Sequence, residues 1–261
     1  MRSQWMQGQV VLVSGGTQGV GAAIARRAAQ EGADAVVVTG RNVEAGNGVL
    51  EILRRSGAQA EFLPTDVSDV QQARGSVART IERFGRLDRV VNAAGLTSRG
   101  SMLDTTPELF DQHIAVNLKA PFFIMADTIR HLRERSAPGS IVNIISIAER
   151  GGQPFLAPYV AAKSGLAGAT RNAAHAHRWD KIRVNGVNIG WTATEAEGVI
   201  QRTTHGAGDD WLDEADASVP MGKIGRPDEI AEFVVFLASD SSGVVTGSII
   251  DWDQQVIGGQ D

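Results

Sequence analysis

Tyr159 and Lys163 stand four residues apart in a segment rich in alanine. On a helix, this spacing places the two side chains on one face, one turn apart. An ammonium held beside a phenol favours the phenolate, so we expect the pKa of Tyr159 to fall from its ordinary value of about 10. Ser146, thirteen residues before the tyrosine, could hold a substrate oxygen through its hydroxyl and stabilise developing charge. Together the three residues predict general acid–base chemistry between an alcohol and a ketone.

A glycine-rich turn near the start of the chain predicts a dinucleotide site. An apolar run ending at Ser14 leads into residues 15–21 (GGTQGVG), and an alanine-rich helical pattern follows. Glycines at 15, 19 and 21 permit a tight turn and let backbone N–H groups approach a pyrophosphate at the positive end of the helix. The alternative is that these glycines serve only the packing of a strand-to-helix turn. The presence of Ser146, Tyr159 and Lys163 in the same chain disfavours it.

Short apolar runs alternate with helical patterns from one end of the chain to the other. The predicted strands are 10–14, 35–39, 61–64, 89–92, 140–146, 183–189 and 248–251. The predicted helices are 19–31, 43–55, 70–84, 121–133, 158–179 and 227–237. Because most of the strands lack polar alternation, they suit a parallel sheet buried on both faces. The sequence predicts an α/β fold over residues 1–261, a single-domain Rossmann-type doubly wound parallel sheet with helices on both faces. A (βα)8 barrel is the alternative, which the glycine turn disfavours.

The composition narrows the class of protein. Of 261 residues, 43% are hydrophobic and 21% are charged, and the net charge is −5. A negative chain is a poor partner for nucleic acid or an anionic membrane. The chain has no cysteine, which excludes disulfides, thiolate metal sites and thiol nucleophiles. With no run of about 18 apolar residues, we expect a cytoplasmic enzyme with a small-molecule substrate.

No metal site is expected. His113 and His131 have no partners at ligand spacing, and His175 and His177 suit a subunit contact or the surface better. The acidic residues between 209 and 214 suit a solvated loop better than a cation site.

Five motifs together resemble the classical short-chain dehydrogenase/reductase family over nearly the whole chain. Besides the Gly-x-x-x-Gly-x-Gly turn, they are Asp66-Val67, Asn92-Ala93-Ala94-Gly95, Asn117 between Val116 and Leu118, and the set of Ser146, Tyr159 and Lys163. The resemblance implies a nicotinamide cofactor with Asp66 and Val67 against its adenine and Lys163 on its ribose. It also implies that Asn117 is catalytic, holding a water that links Lys163 to solvent.

One departure from the family pattern lies after the sixth strand. Ile189-Gly190 stands where the family usually has Pro-Gly. Gly190 keeps a close backbone approach to the nicotinamide, and the hydroxyls of Thr192 and Thr194 are expected to meet its carboxamide. Loss of the proline frees an N–H and loosens φ at 189, so we expect a small loop adjustment and retained binding.

The choice between NADP and NAD depends on the end of the second strand. No acid stands at Thr39 or Gly40, and Arg41 follows them. A carboxylate there would repel a 2′-phosphate, whereas an arginine attracts it, so NADP is favoured and NAD is the alternative. The residues expected to contact the cofactor are Gly15, Thr17, Gln18, Gly19, Val20, Gly21, Arg41, Asp66, Val67, Asn92, Ala93, Gly95, Tyr159, Lys163, Gly190 and Thr192.

Residues 191–220 follow the sixth strand and predict a lid over the active site. Trp191, within this segment, and Glu149, Arg150 and Gln153, close to Ser146, are candidate substrate contacts. Their polarity would suit a sugar or polyol, and other secondary alcohols or ketones are the alternative. A sensor that binds dinucleotide without turnover is the competing class, which the complete catalytic set disfavours.

The small residues along helix 158–179 and the apolar residues between 248 and 259 predict subunit contacts. Because members of the family it resembles usually form tetramers through these regions, we expect a homotetramer.

Overall fold

The computed structural model describes residues 4–256. Within them, seven strands form one sheet in the order β3-β2-β1-β4-β5-β6-β7. The strands are β1 (Val10–Ser14), β2 (Ala35–Gly40), β3 (Gln59–Pro64), β4 (Arg89–Asn92), β5 (Gly139–Ile144), β6 (Ile182–Ile189) and β7 (Ile249–Trp252). Every neighbouring pair is parallel. The predicted doubly wound parallel sheet is confirmed, and its strand order reverses between β1 and β4, which opens a crevice at their carboxyl ends.

Nine α-helices cover the faces and the carboxyl edge of the sheet in the described chain. They are α1 (Gly19–Gln30), α2 (Val43–Arg55), α3 (Val70–Phe84), α4 (Pro107–Ile114), α5 (Ala120–Glu134), α6 (Ala157–His177), α7 (Glu195–Thr204), α8 (Trp211–Ala217) and α9 (Pro227–Ala238). The helix patterns did not predict α4, α7 or α8, which are the shortest three.

Two predicted elements end earlier than expected. The predicted strand 140–146 ends at Ile144, because the Ser146 hydroxyl accepts a hydrogen bond from Ala148 N at 3.2 Å and begins a short 3₁₀-helix, Ile147–Arg150. The predicted helix 158–179 ends at His177, where the 3₁₀-turn Arg178–Asp180 and the left-handed Lys181 (φ 60°) turn the chain into β6.

The hydrophobic core lies on both faces of the sheet. Val11 and Val13 of β1 pack on the face covered by α1 and α9, whereas Leu12 between them packs on the face covered by α3, α5 and α6. All three side chains are buried, with at most 1% exposed. This two-sided burial explains why the strands show no polar alternation.

Candidate active site

The glycine turn packs against the segment that follows β4. A Cβ at Gly15 would lie 2.5 Å from the Ala94 Cα, and a Cβ at Gly21 would lie 2.1 Å from the Gly15 carbonyl oxygen. Gly15 also has a φ of 78°, which other residues rarely adopt. Packing therefore requires glycine at these two positions and brings the turn to the carboxyl ends of β1 and β4.

The amino end of α1 at this turn is left open for an anion. Gln18 occupies the N-cap position, and within the described residues no side chain caps the helix and no acid lies in its first turn. The helix dipole and the free backbone N–H groups of a first turn favour a phosphate at such an end. Thr194, the N-cap residue of α7, lies across the turn, with its Cγ2 3.4 Å from the Cβ position of Gly19. The chain at this turn thus fits the pyrophosphate of a dinucleotide.

Arg41 and Asp66 lie near each other at the carboxyl ends of β2 and β3. Asp66 accepts hydrogen bonds from Ser68 N at 3.0 Å and Ser68 Oγ at 2.8 Å. These bonds lower the pKa of Asp66, and the charge of the nearby Arg41 lowers it further. The Arg41 side chain is exposed, so its guanidinium is accessible to an anionic ligand.

Asn92 at the end of β4 is held by the neighbouring strand. Its Nδ2 donates to Asn143 Oδ1 at 2.8 Å, and Asn143 in turn donates to Thr170 Oγ1 at 2.8 Å. Asn92 Oδ1 is buried and has no hydrogen-bond partner among residues 4–256. Ala93 N donates to the Ser14 carbonyl oxygen at 2.8 Å, so this segment continues along the glycine turn.

Ser146, Tyr159 and Lys163 come together where β5 ends and α6 begins. Tyr159 is 8% exposed and Lys163 is 3% exposed. The Lys163 ammonium lies 5.7 Å from the centre of the Tyr159 ring and donates to the Ile144 carbonyl oxygen at 2.8 Å. The expected drop in the pKa of Tyr159 is wrong for this structure. Burial raises that pKa to about 12, against the opposing effect of a hydrogen bond with Ser146, and burial lowers the pKa of Lys163 to about 8.

Asn117 lies in a π-helical turn, Ala115–Lys119, between α4 and α5. Its carboxamide pairs with Leu96: Leu96 N donates to Oδ1 at 3.0 Å, and Nδ2 donates to the Leu96 carbonyl oxygen at 2.9 Å. Nδ2 also donates to His113 Nδ1 at 3.1 Å. The side chain is thus engaged in holding the turn after β4, and any water at this residue would have to use other groups.

His113 is the site residue that the sequence analysis set aside, because it was tested only as a metal ligand. It is fully buried, and its ring packs edge-on against Tyr159 with centroids 6.2 Å apart. Its four-residue spacing from Asn117 within a helical segment was the signal that could have identified it.

The candidate substrate contacts have different partners within the protein. Glu149 Oε1 accepts from Asn188 Nδ2 at 3.4 Å, and Arg150 forms an ion pair with Asp251 of β7. Both side chains are therefore tied to the ends of β6 and β7. Gln153 is half-buried before α6, and its carbonyl oxygen accepts from Leu156 N at 3.0 Å.

The segment after β6 is held by local hydrogen bonds. Trp191 is 40% exposed, and its Nε1 donates to Glu197 Oε1 at 2.8 Å. Thr192 Oγ1 donates to the Gly190 carbonyl oxygen at 2.9 Å, and Thr194 Oγ1 accepts from Glu197 N at 3.1 Å. Both hydroxyls were expected to contact the carboxamide of the nicotinamide. In this structure they form hydrogen bonds with the local backbone.

Gly190 approaches the chain after β7. A Cβ at Gly190 would lie 2.1 Å from Asp253 Oδ1. Ile189, in the place of the usual proline, is the last residue of β6 and pairs with Trp252 of β7.

The segment 191–220 is joined to the body of the protein at its two ends. Ala193 N donates to the Gly225 carbonyl oxygen at 2.9 Å, and Gly225 N donates to the Trp191 carbonyl oxygen at 2.8 Å. Gln254 accepts from Met221 N at 2.7 Å and donates to the Lys223 carbonyl oxygen at 2.7 Å.

Residues 4–256 contain neither a candidate metal site nor a candidate membrane span. Among them, no group of three or more His, Cys, Asp or Glu side chains could hold a metal ion. None of the helices formed by these residues has the length and apolar character needed to span a membrane.

Known proteins resemble this chain over most of its length. The profile of a family described as Enoyl-(Acyl carrier protein) reductase matches residues 14–254. An uncharacterized oxidoreductase of Thermotoga maritima is 35% identical over 248 residues, which are 95% of this chain and 96% of that protein. The 3-oxoacyl-(acyl-carrier-protein) reductase FabG of Chlamydia pneumoniae is 30% identical over 243 residues, which are 93% of this chain and 94% of that protein.

A solved structure agrees in fold and in sequence. The crystal structure of a variant of actinorhodin polyketide ketoreductase with NADPH is 31% identical, with a TM-score of 0.87 over 97% of this chain and 98% of that one. Likeness of this extent in both sequence and fold marks common descent. The chain belongs to the classical short-chain dehydrogenase/reductase family, whose members are oxidoreductases that act on carbonyl or alcohol groups with NAD(P).

Proposed function

We propose that this protein is an NADP(H)-dependent oxidoreductase that interconverts a ketone and a secondary alcohol, with Tyr159 as general acid and base. The observation that carries the proposal is the buried Tyr159 phenol, hydrogen-bonded to Ser146 and one helical turn from Lys163. With a pKa near 12, this phenol is protonated at neutral pH. A protonated acid suits the direction from ketone to alcohol.

In this proposal, each residue of the chain has a distinct task. Ser146 donates a hydrogen bond to the carbonyl oxygen, and Tyr159 gives that oxygen its proton as negative charge develops there. Lys163 stabilises the phenolate that remains and returns a proton to it. Asn117 holds the turn after β4 that borders the pocket. The nicotinamide, when bound, supplies the hydride to the carbonyl carbon.

The preference for NADP rests on Arg41. The guanidinium is exposed beside Asp66, and the nearest positions of β2, Thr39 and Gly40, carry no acid. A 2′-phosphate at this place would gain a charge-assisted hydrogen bond from Arg41. The phosphates of the cofactor would lie over residues 15–21, its adenine against Asp66 and Val67, and the rest of it along Asn92, Ala93, Gly95, Gly190 and Thr192.

We further propose that residues 191–220 form a substrate lid within a single domain of residues 1–261, with Trp191, Glu149 and Gln153 at its pocket. The hydrogen bonds at Gly225 and Gln254 support this role, because they hold the two ends of the segment against the body of the protein.

A homotetramer is the proposed assembly. α6 exposes a stripe of small residues that includes Ala161, Gly168 and Ala176, and such a surface lets a second helix approach closely. Of the C-terminal stretch that supported this expectation, residues 257–259 lie outside the described residues. Light scattering at micromolar concentration should give about four times 27.7 kDa. A mass near that of one chain would refute the tetramer. A mass near that of two chains would mean that only one of the two proposed interfaces forms.

Turnover on a panel of substrates tests the function. Sugars, polyols, cyclic ketones and keto esters are each offered with NADPH or NADH, or with their oxidised forms. We expect reduction of at least one ketone, with a preference for NADPH. Tight cofactor binding without turnover across the panel would contradict the proposal and favour a sensor.

A further inference from the structure

His113 is a fully buried imidazole that the proposed reaction does not use. It lies in the last turn of α4 and contacts two residues of the site. Its Nδ1 is 3.1 Å from Asn117 Nδ2, and its ring meets the Tyr159 ring at an interplanar angle of 77°. Its Nε2 is 3.1 Å from the Ser98 carbonyl oxygen.

The surroundings of His113 allow a single tautomer. Leu96 fixes the orientation of the Asn117 carboxamide, because its N–H must face Oδ1 and its carbonyl oxygen must face Nδ2. The other hydrogen of Nδ2 therefore points at His113 Nδ1, which must accept it. The Ser98 carbonyl oxygen is an acceptor only, so the proton of the imidazole lies on Nε2.

A second proton on this imidazole, at Nδ1, would disrupt the hydrogen bond with Asn117. Nδ1–H would face an N–H of Asn117, and turning the carboxamide over would break both of its bonds to Leu96. Burial also lowers the pKa of His113, against the opposing effect of the bond to Ser98. The titratable group that contacts it is Tyr159 on α6, and Lys163 lies beside the Tyr159 ring. Arg99 follows Ser98 in the chain, and its guanidinium lies over the Phe155 ring.

We propose that His113, as the neutral Nε2–H tautomer, is a positioning residue that holds the Asn117 carboxamide, the Ser98 carbonyl and the Tyr159 ring in one arrangement. The inference rests on the proposed function of Tyr159. His113 acts through its neighbours and touches no reacting atom. Loss of its hydrogen bonds frees Asn117 and loosens the turn 96–98, which lets water reach the phenol, while the glycine turn and the amino end of α1 stay as they are.

The tautomer can be tested without any substrate. Long-range ¹H–¹⁵N NMR of the cofactor-free protein reports both ring nitrogens of each of the five histidines, and the signal missing from His113→Phe is that of His113. We expect an Nε2–H tautomer that is still neutral at the ordinary histidine pKa of about 6.5. An Nδ1–H tautomer, or a midpoint at or above 6.5, would overturn the proposal.

The effect on Tyr159 is also separable from turnover, because the chain has one tyrosine. In His113→Phe the ring volume is kept and both hydrogen bonds are lost, whereas His113→Asn places an acceptor near the position of Nδ1. We expect the phenolate absorbance of Tyr159 to appear at lower pH in His113→Phe than in the wild type. An unchanged midpoint would mean that His113 does not position the phenol.

Kinetics with NADPH and ethyl acetoacetate, a keto ester, show how much the loss of His113 slows turnover. Since a displacement of about 1 Å in a catalytic group can cost about 100-fold in rate, we expect kcat of His113→Phe to fall by about 10- to 100-fold. The Kd of NADPH, measured by fluorescence, should stay within about twofold, and His113→Asn should recover part of the rate.

His131→Phe is the matched control, because His131 is also hydrogen-bonded to the backbone: it accepts from Leu87 N at 3.2 Å, at the amino ends of the strands. It should leave kcat unchanged. Wild-type kcat in His113→Phe, or an equal loss in His131→Phe, would contradict the positioning role. If the wild type does not reduce the keto ester, the proposed function fails on that substrate, and the two spectroscopic measurements still decide the role of His113.

Discussion

Buried polar groups lie at both ends of the parallel strands, here called the amino edge and the carboxyl edge of the sheet. The two edges differ in how these groups are paired. At the amino edge, Asp88 is 3% exposed and accepts from Val10 N at 2.9 Å, while Arg86 and Arg135 pair with it. Arg89, beside it, pairs with Asp240 at 2.8 Å. Opposite charges there are matched with one another, which is how buried charges are tolerated in a stable core.

At the carboxyl edge, no carboxylate of the described part of the chain pairs with the buried lysine. Lys163 is 3% exposed, and the hydrogen bond described for it is to a neutral backbone carbonyl. Burial lowers the pKa of Lys163 to about 8 and raises the pKa of Tyr159 to about 12. Strongly perturbed groups of this kind cluster at functional sites. The contrast teaches that the buried charges at the amino edge are paired with opposite charges, whereas Lys163 and Tyr159 at the carboxyl edge are buried without such a partner and mark the chemical site.

The largest expected effect is on turnover at the carboxyl edge. Tyr159→Phe keeps the ring and removes the acid. Because general acid–base catalysis usually contributes about 10²- to 10⁴-fold, kcat should fall by a factor of at least that size. The Kd of the cofactor and the thermal midpoint should change little. A variant that keeps more than a tenth of the wild-type kcat would remove Tyr159 from the mechanism.

At the amino edge, the expected loss is in stability instead. Asp88→Asn keeps the shape of the side chain and leaves Arg86 and Arg135 without their shared carboxylate, which should cost about 3 kcal/mol of unfolding free energy. Urea denaturation measures this cost, and kcat per folded molecule should stay near the wild-type value. A change in kcat without a change in stability would contradict the structural role assigned to the amino edge.

A smaller effect should separate the two cofactors. Arg41→Ala should weaken NADPH binding by about 1.5–3 kcal/mol, the range for hydrogen bonds to charged groups, and should hardly change NADH binding. Fluorescence titration gives both constants. Equal losses for the two cofactors, or none for either, would make Arg41 a bystander and favour NAD.

The sequence allowed the sheet to be predicted well because its strands are short apolar runs buried on both faces. β1 and β4 have the predicted bounds, and the glycine turn follows β1 as expected. Helices α7 and α8, which lie in the proposed lid, were missed because they are short and polar, with Gly198 and Ala215 as their buried residues.

Other features of the site depend on contacts between distant parts of the chain. Arg150 meets Asp251, 101 residues further on, and Gly190 meets Asp253. The sequence indicated that Tyr159 and Lys163 lie one turn apart. It could not indicate that both are buried, and burial decides the direction of their pKa shifts.

The pKa of Tyr159 tests the central claim most directly, since the claim is that a buried, protonated phenol is the acid of this site. The chain has one tyrosine, so the phenolate absorbance of the cofactor-free protein, measured against Tyr159→Phe at the same pH, belongs to this residue alone. We predict no phenolate signal between pH 7 and the ordinary tyrosine pKa of about 10, in line with a pKa of about 12. A phenolate that forms with a midpoint below about 10 in the folded protein would contradict the account.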